Sequence, residues 1–330
     1  MSAVEALLRA AGDACEGQLR SWVRELDGLP AEVAAYQFGW AGEGERGKAV
    51  RAALTLACAR AVGGEARAAV PAAAAVEMVH NLSLLYDDVL DGDPVRRHRD
   101  AAWRVFGPSA AARAADALLL VSFDVLAAPD GAPEAVAREA SAALLETLVA
   151  LAVGEGLDLV FERRDGVTLD ECLEMVEGKT ASLFACACRL GALYGGAGPE
   201  AASAWAAFGR DLGTAFQMTD DLLGIWGDPA VTGKPVFADL ARRKLSVPVV
   251  AALDSGTPEG AELAREYRRP EARPEELARL VELAGGRRWT VERAAAHAAA
   301  ARTRLAGLTD DRAAAAELAL LVALVVDREH

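Results

Sequence analysis

An all-α fold is predicted by three features of this 330-residue sequence. About a fifth of the residues are alanine, isoleucine occurs once, at Ile225, and only 5% of the chain is aromatic. Alanine is the strongest helix former, whereas strands draw on β-branched and aromatic side chains. Apolar residues recur at helical spacing from end to end, and short Gly/Pro breaks separate the periodic segments.

The segments follow one another in order. The N-terminal stretch mixes Glu5, Asp13 and Glu16 into its apolar residues and has no signal-peptide pattern. Gly28-Leu29-Pro30 and Gly63-Gly64 bound the next segments, and an apolar helix then runs from about Val70 to Leu90. Further breaks fall at Pro129-Asp130-Gly131 and Gly195-Gly196, ahead of a second apolar helix that contains Phe216 to Gly224. A basic loop with turn residues runs from Gly227 to Lys244, followed by breaks at Gly256-Thr257-Pro258 and Gly285-Gly286. The most charged stretch, residues 255–288, reads as peripheral helices and loops on a solvated face. No break is long or polar enough to be an interdomain linker, so residues 1–330 are expected to form one domain.

Composition excludes several classes. A 53% hydrophobic content is incompatible with a disordered chain, and the net charge of −14 argues against sequence-independent nucleic-acid binding. The five cysteines are odd in number and form no CxxC pair, so they read as small buried thiols. Leu318 to Val326, the longest late apolar run, is too short to cross a bilayer. A cytoplasmic protein without a membrane span is expected. No Walker sequence is present.

Two carboxylate clusters carry the chemistry. The first apolar helix ends in Asp87-Asp88-Val89-Leu90-Asp91, with Arg96-Arg97 close behind. Asp87 and Asp91 are i,i+4 on a helix and repel each other unless compensated. A hard divalent cation such as Mg²⁺ suits an all-oxygen ligand set, and paired guanidiniums suit phosphate. The second cluster, Asp220-Asp221, follows Gln217 on the same face and precedes the basic loop. Taken singly, each cluster could be a solvated helix end. Two such clusters in apolar helices, each followed by cations, imply a wet cavity or a metal site.

The residues resemble the trans-isoprenyl diphosphate synthases, the polyprenyl synthetase family of the class I isoprenoid synthase fold. The first motif is Asp87-Asp88-x-x-Asp91 with Arg96-Arg97, and the second is Phe216-Gln217-x-x-Asp220-Asp221. Gly233-Lys234-Pro235, Asp239-Leu240 and Lys244 follow the second motif. Between the motifs stand Gly154-Glu155-Gly156-Leu157-Asp158-Leu159 and Gly178-Lys179-Thr180. Upstream, Gly47-Lys48-x-x-Arg51 resembles the family's GKxxRP segment, and Glu77-x-x-His80 its ELxH.

The resemblance implies a helical bundle around a central cavity, with the two aspartate clusters facing each other across its mouth. Three Mg²⁺ ions would bridge them to an allylic diphosphate. Asp87, Asp88, Asp91 and Asp220 would be metal ligands, with Asp221 a further catalytic residue. Arg96, Lys179, Lys234 and Gln217 would hold the allylic diphosphate. Lys48, Arg51, His80 and Arg97 would hold isopentenyl diphosphate, and Lys244 would join the substrate-binding cations. His80 lies seven residues before Asp87, on nearly the same face and about 10 Å away at ~1.5 Å per residue. The family also implies a homodimer.

Five positions depart from the family pattern: Arg46 for the first Gly of its GGK segment, Ala52 for the Pro of GKxxRP, Tyr86 for His, Glu155 for Gln, and Gly224 for the third Asp of the second motif. In the family, bulky residues four and five positions before the first Asp shorten the product. Here these are Ser83 and Leu82, and no two-residue insertion lengthens the motif. A geranylgeranyl diphosphate synthase is therefore expected. A terpene cyclase on the same fold is the alternative, opposed by retention of Lys48, Arg51, His80 and Arg97. A noncatalytic partner subunit ranks last, because the first motif is complete.

Overall fold

The computed structural model describes residues 2–41, 46–128, 132–161, 163–164, 166–229 and 235–326. Among the described residues it is all-α apart from a two-stranded hairpin, Val95–Arg96 paired with Arg99–Asp100. Two compact units are present.

The first unit contains residues 1–145, 186–206 and 308–321. Its helices include α1 (Ala3–Arg24), α2 (Gly28–Gln37), α3 (Val50–Ala61), α4 (Val70–Leu90), α5 (Ala102–Phe106) and α6 (Pro108–Ala127). α1 starts in a capping box. The Ser2 hydroxyl accepts the Glu5 N–H, and the Glu5 carboxylate takes the Ser2 N–H. α4 is the core helix of this unit and packs on α6, α3 and α1. Ala72 to Val76 are all fully buried, and their small side chains let neighbouring helices approach closely. The span Ala66–Leu90 has the length and hydropathy to cross a bilayer, but 72% of its apolar window is buried within the protein, as in a core helix.

The second unit contains residues 146–185, 207–307 and 322–330. α7 (Glu134–Phe161), α9 (Ser182–Tyr194) and α10 (Pro199–Trp226) contribute residues to both units, and α8 (Leu169–Val176) lies within the second. α8 passes into α9 through one π turn, Glu177–Ala181. The short α11 (Ala238–Ala241) and α12 (Val247–Leu253) follow, then α13 (Pro258–Glu266), α14 (Pro274–Leu283) and α15 (Gly286–Leu308), while α16 (Arg312–Val326) again contributes residues to both units. The charged stretch 255–288 does form peripheral helices, but each inserts an apolar stripe. Leu263, Leu277, Leu280 and Val281 join Ile225, Leu240 and Val249 in one buried cluster. A second cluster gathers Phe161, Met175, Val176, Met218, Val247 and Val250. All five cysteines are buried free thiols, as the sequence leads one to expect.

Candidate active site

In the first unit the site is built on the end of α4. Most of this helix is buried, yet His80, Ser83, Leu84 and Asp87 are half-buried and Asp91 is exposed. At about 100° per residue these five share one arc of roughly 100°, a single open face. Asp91 caps the helix, its N–H bonding the Asp87 carbonyl at 2.8 Å. Asp88 turns inward and is 1% exposed. Its Oδ1 accepts Arg96 Nε at 2.9 Å and also Arg96 Nη2. Its Oδ2 is buried without a partner. Burial pushes the Asp88 carboxyl above its ordinary range, and Arg96 opposes that shift.

Arg96 and Arg97 are delivered by the hairpin, which the sequence did not suggest. Its two turn residues, Arg97 and His98, both take left-handed φ of +52° and +61°. Such turns favour Asn-Gly, and each non-glycine residue there costs on the order of 1 kcal/mol. Tertiary contacts hold the turn. Arg97 Nη1 donates to the Gln37 carbonyl at 3.0 Å, and Arg99 donates to the Tyr36 carbonyl. Gly47 leaves room for Arg97, because a β-carbon there would stand 2.8 Å from Nη2.

Arg51, in the first turn of α3, places Nη1 3.4 Å from His80 Nε2. A guanidinium only donates, so Nε2 accepts and the ring proton sits on Nδ1. Burial, then Arg51, Arg97 and Arg96, hold His80 well below its usual range and therefore neutral. Burial lowers Arg51 to about 10, still cationic at neutral pH. Lys48 is exposed in the segment before α3. Arg46 is pinned to α1 by Glu16 at 2.5 Å and Asp13 at 3.4 Å. Tyr86 donates to Asp116 on α6.

In the second unit the π turn sets Lys179 against α7. Gly178 lies on Gly154, and a β-carbon at Gly154 would come within 2.8 Å of the Gly178 carbonyl carbon. Single π turns of this kind recur at functional positions. Lys179 Nζ pairs with Glu155 at 2.9 Å and Asp158 at 2.6 Å. On α10, Phe216, Gln217 and Gly224 are half-buried and Asp220 is exposed, again one open arc.

Gln217 and Asp221 form a relay across this unit. Thr180 Oγ1 donates to Gln217 Oε1 at 2.5 Å, and Gln217 Nε2 donates to Asp221 Oδ1 at 2.7 Å. Asp221 Oδ2 accepts the Val247 N–H at 2.9 Å, satisfying the first turn of α12. Asp221 is 3% exposed, and burial pushes its carboxyl up to about 6 against Lys244, the Val247 N–H and Gln217. Burial works against the Lys244 charge, but Asp221, Asp158 and Asp239 outweigh it and hold the ammonium above its usual range.

Lys234 lies outside the described residues. Among the described residues, no three Asp, Glu, His or Cys side chains converge on one point that would hold an ion. The donor set nonetheless fits a hard cation. It is all carboxylate oxygen, and the buried Asp88 Oδ2 has no other partner. Asp158, Glu77 and Asp239 stand in stretches that resemble family motifs, yet nothing in the sequence alone gave them a role. Their contacts are non-local, and spacing does not reveal them.

The sequence profile of the family described as "Polyprenyl synthetase" matches residues 39–284. The chain is 41% identical over 324 residues to a (2E,6E)-farnesyl diphosphate synthase of Mycobacterium tuberculosis, covering 94% of this chain and 89% of that one. It is 40% identical to a geranylgeranyl diphosphate synthase of the same organism, over 86% of this chain and 83% of the relative. The crystal structure of a polyprenyl synthetase from Streptomyces coelicolor A3(2) superposes with a TM-score of 0.90 at 39% identity, covering 98% of this chain and 99% of the other. The all-α isoprenoid synthase fold and the prenyltransferase class follow, and the family uses a divalent metal to bind diphosphate. The chain belongs to the polyprenyl synthetase family of trans-isoprenyl diphosphate synthases.

Proposed function

We propose that this prenyltransferase condenses isopentenyl diphosphate with an allylic diphosphate and releases geranylgeranyl diphosphate. The observation that carries the chain-length reading is the open face of α4. One turn before Asp87 that face presents Ser83, whose small side chain folds back to donate to the His80 carbonyl at 2.9 Å. Leu82, the other position tied to product length in the family, is buried at 7% exposure. A growing chain that passes Asp87 therefore meets a hydroxymethyl group rather than a ring.

In this reading Asp87, Asp88, Asp91 and Asp220 hold Mg²⁺, three ions in all with the diphosphate bound. Bound Mg²⁺ stabilises the negative charge that grows on the leaving diphosphate. Arg96, Lys179 and Lys234 bind the allylic diphosphate. Gln217, on the open face of α10, joins them and is oriented by Thr180 and Asp221, while Asp221 holds the first turn of α12. Lys48, Arg51, His80 and Arg97 bind isopentenyl diphosphate, and a neutral His80 with its proton on Nδ1 can donate to a phosphate oxygen. Lys244 supplies half-buried positive charge that acts on Asp221. Leu84 and Phe216, on the open faces of their helices, keep water from the allylic cation.

The two units act as one catalytic domain in this reading, and the protein works as a homodimer in the cytoplasm. An exposed apolar stripe on α7 supports the dimer: Leu145, Val149, Val153 and Val160 are each at least half exposed and share one arc. The test of chain length is incubation with Mg²⁺, isopentenyl diphosphate and each allylic primer in turn, with the product sized after dephosphorylation. A C20 alcohol is expected, and Ser83→Phe is expected to shift it to C15. A dominant C15 alcohol from the wild type would replace this reading with a farnesyl diphosphate synthase, the activity named for the 41% identical mycobacterial relative.

A further inference from the structure

We propose that Glu77 is a positioning residue for the isopentenyl-diphosphate cations, fixed by a backbone hydrogen bond from Ala52 that the family's proline could not make. The inference rests on the functional reading above and adds a residue to it.

The first N–H groups of a helix have no partner inside it, and in α3 the first regular bond is Ala53 N–H to the Ala49 carbonyl at 2.9 Å. The N–H of Ala52 is therefore an orphan, and a proline at this position would lose nothing from the helix itself. In this chain the N–H is used. It donates to Glu77 Oε1 at 3.1 Å, in a buried contact that joins α3 to α4.

Glu77 is 8% exposed and lies one turn before His80 on α4. A buried carboxylate is costly unless it is paired and hydrogen-bonded. The Ala52 N–H at the positive end of α3 supplies part of the compensation. Arg51, the neighbour of Ala52, and Arg97 add to it, while burial still holds the Glu77 carboxyl above its ordinary range. Glu77 is the opposite charge that most favours the cationic form of each. Glu77, Ala52, Gly47 and Arg97 line one cleft in the first unit. Glu77 thus shares a cleft with Arg97 and is hydrogen-bonded to the residue next to Arg51, and both guanidiniums are assigned to diphosphate. Holding them in place before substrate arrives lowers the ordering cost of binding.

The test is a steady-state comparison with a double-mutant cycle. Glu77→Gln keeps the acceptor for Ala52 but removes the charge. It is expected to raise KM for isopentenyl diphosphate about tenfold, with kcat within about threefold and KM for the allylic substrate unchanged. Ala52→Pro is expected to raise the same KM a few-fold in the wild type and to have no effect in Glu77→Ala, because the two act through one bond. An unchanged KM for isopentenyl diphosphate in Glu77→Gln overturns the proposal, as does a loss confined to kcat. Equal effects of Ala52→Pro in both backgrounds also overturn it. Circular dichroism and thermal melts check folding; if a Glu77 variant fails to fold, Ala52→Pro carries the test, since proline is tolerated in a first helical turn. If the wild type does not consume isopentenyl diphosphate, the functional reading fails instead. Calorimetric titration of wild type and Ala52→Pro with inorganic pyrophosphate then reads the cation site directly, and equal affinities overturn the proposal.

Discussion

The carboxylate of Asp239 occupies the space that a side chain on Gly224 would need, with its Cγ 2.6 Å from the position of a β-carbon there. Gly224 stands where the family carries the third Asp of its second motif, one turn after Asp220. Restoring that residue by Gly224→Asp is expected to destabilise the metal-free protein by about 1–3 kcal/mol, the range for crowding and like-charge burial. Asp239→Ala in the same chain is expected to recover most of the loss. Urea denaturation of the three variants checks this; an unaltered midpoint for Gly224→Asp would show that Asp239 swings aside freely.

Lys179 carries a second departure. Its ammonium meets both Glu155 and Asp158, where the family has Gln in place of Glu155. All three side chains are about four-fifths buried, so the pairing is screened less than a surface pair. Glu155→Gln keeps a hydrogen-bonding oxygen but removes one of the two competing anions. A fall of about two- to fivefold in KM for the allylic diphosphate is expected, within the range of a weak ion pair. A rise in that KM would mean that Glu155 aims Lys179 rather than competing for it.

Glu171 offers a pH-dependent test outside the site. It closes the capping box of α8, accepting from the Thr168 N–H and from Arg164. The Thr168 N–H first, then Arg164, lower its carboxyl from 4.5 to about 2. A depressed acid stabilises the fold above its unfolded pKa and loses that contribution as pH falls through its folded pKa. Glu171→Gln is therefore expected to melt earlier than wild type at pH 7. The gap should hold down to about pH 4.5 and close towards pH 2. Melting curves across that range check it; a gap independent of pH would assign the effect to packing instead.

What the sequence made legible was local. The bounds of α4 followed from Gly63-Gly64 on one side and the Asp87-to-Asp91 run on the other, and the structure places the helix at Val70–Leu90. His80 and Asp87 share the open face that their spacing of seven implies. The hairpin that carries Arg96 and Arg97 was hidden because its turn uses Arg97-His98, held by distant carbonyls, in place of the residues that announce such turns. The π turn at Lys179 was hidden because it accompanies the close approach of Gly178 to Gly154. Asp221 was legible as an acid in a motif, but its bond to the Val247 N–H spans 26 residues and leaves no mark in local pattern.

The stripe on α7 yields the last expectation. Leu145, Val149, Val153 and Val160 are 50–59% exposed, in a helix whose Ala140, Ala143 and Leu144 are buried. Four large apolar side chains on one arc of a helix are more than scattered surface residues, and water contact along such a stripe is unfavourable by about 25 cal/mol per Å². Covering it with the same stripe of a second copy gives a two-fold interface, in which each substitution counts twice. Val149→Asp with Val153→Asp is therefore expected to convert a dimer of about 69 kDa, twice the 34.5 kDa chain, to monomer. Light scattering after size-exclusion chromatography reads the mass. A wild-type mass of one chain, or a variant that stays dimeric, would remove α7 from the interface.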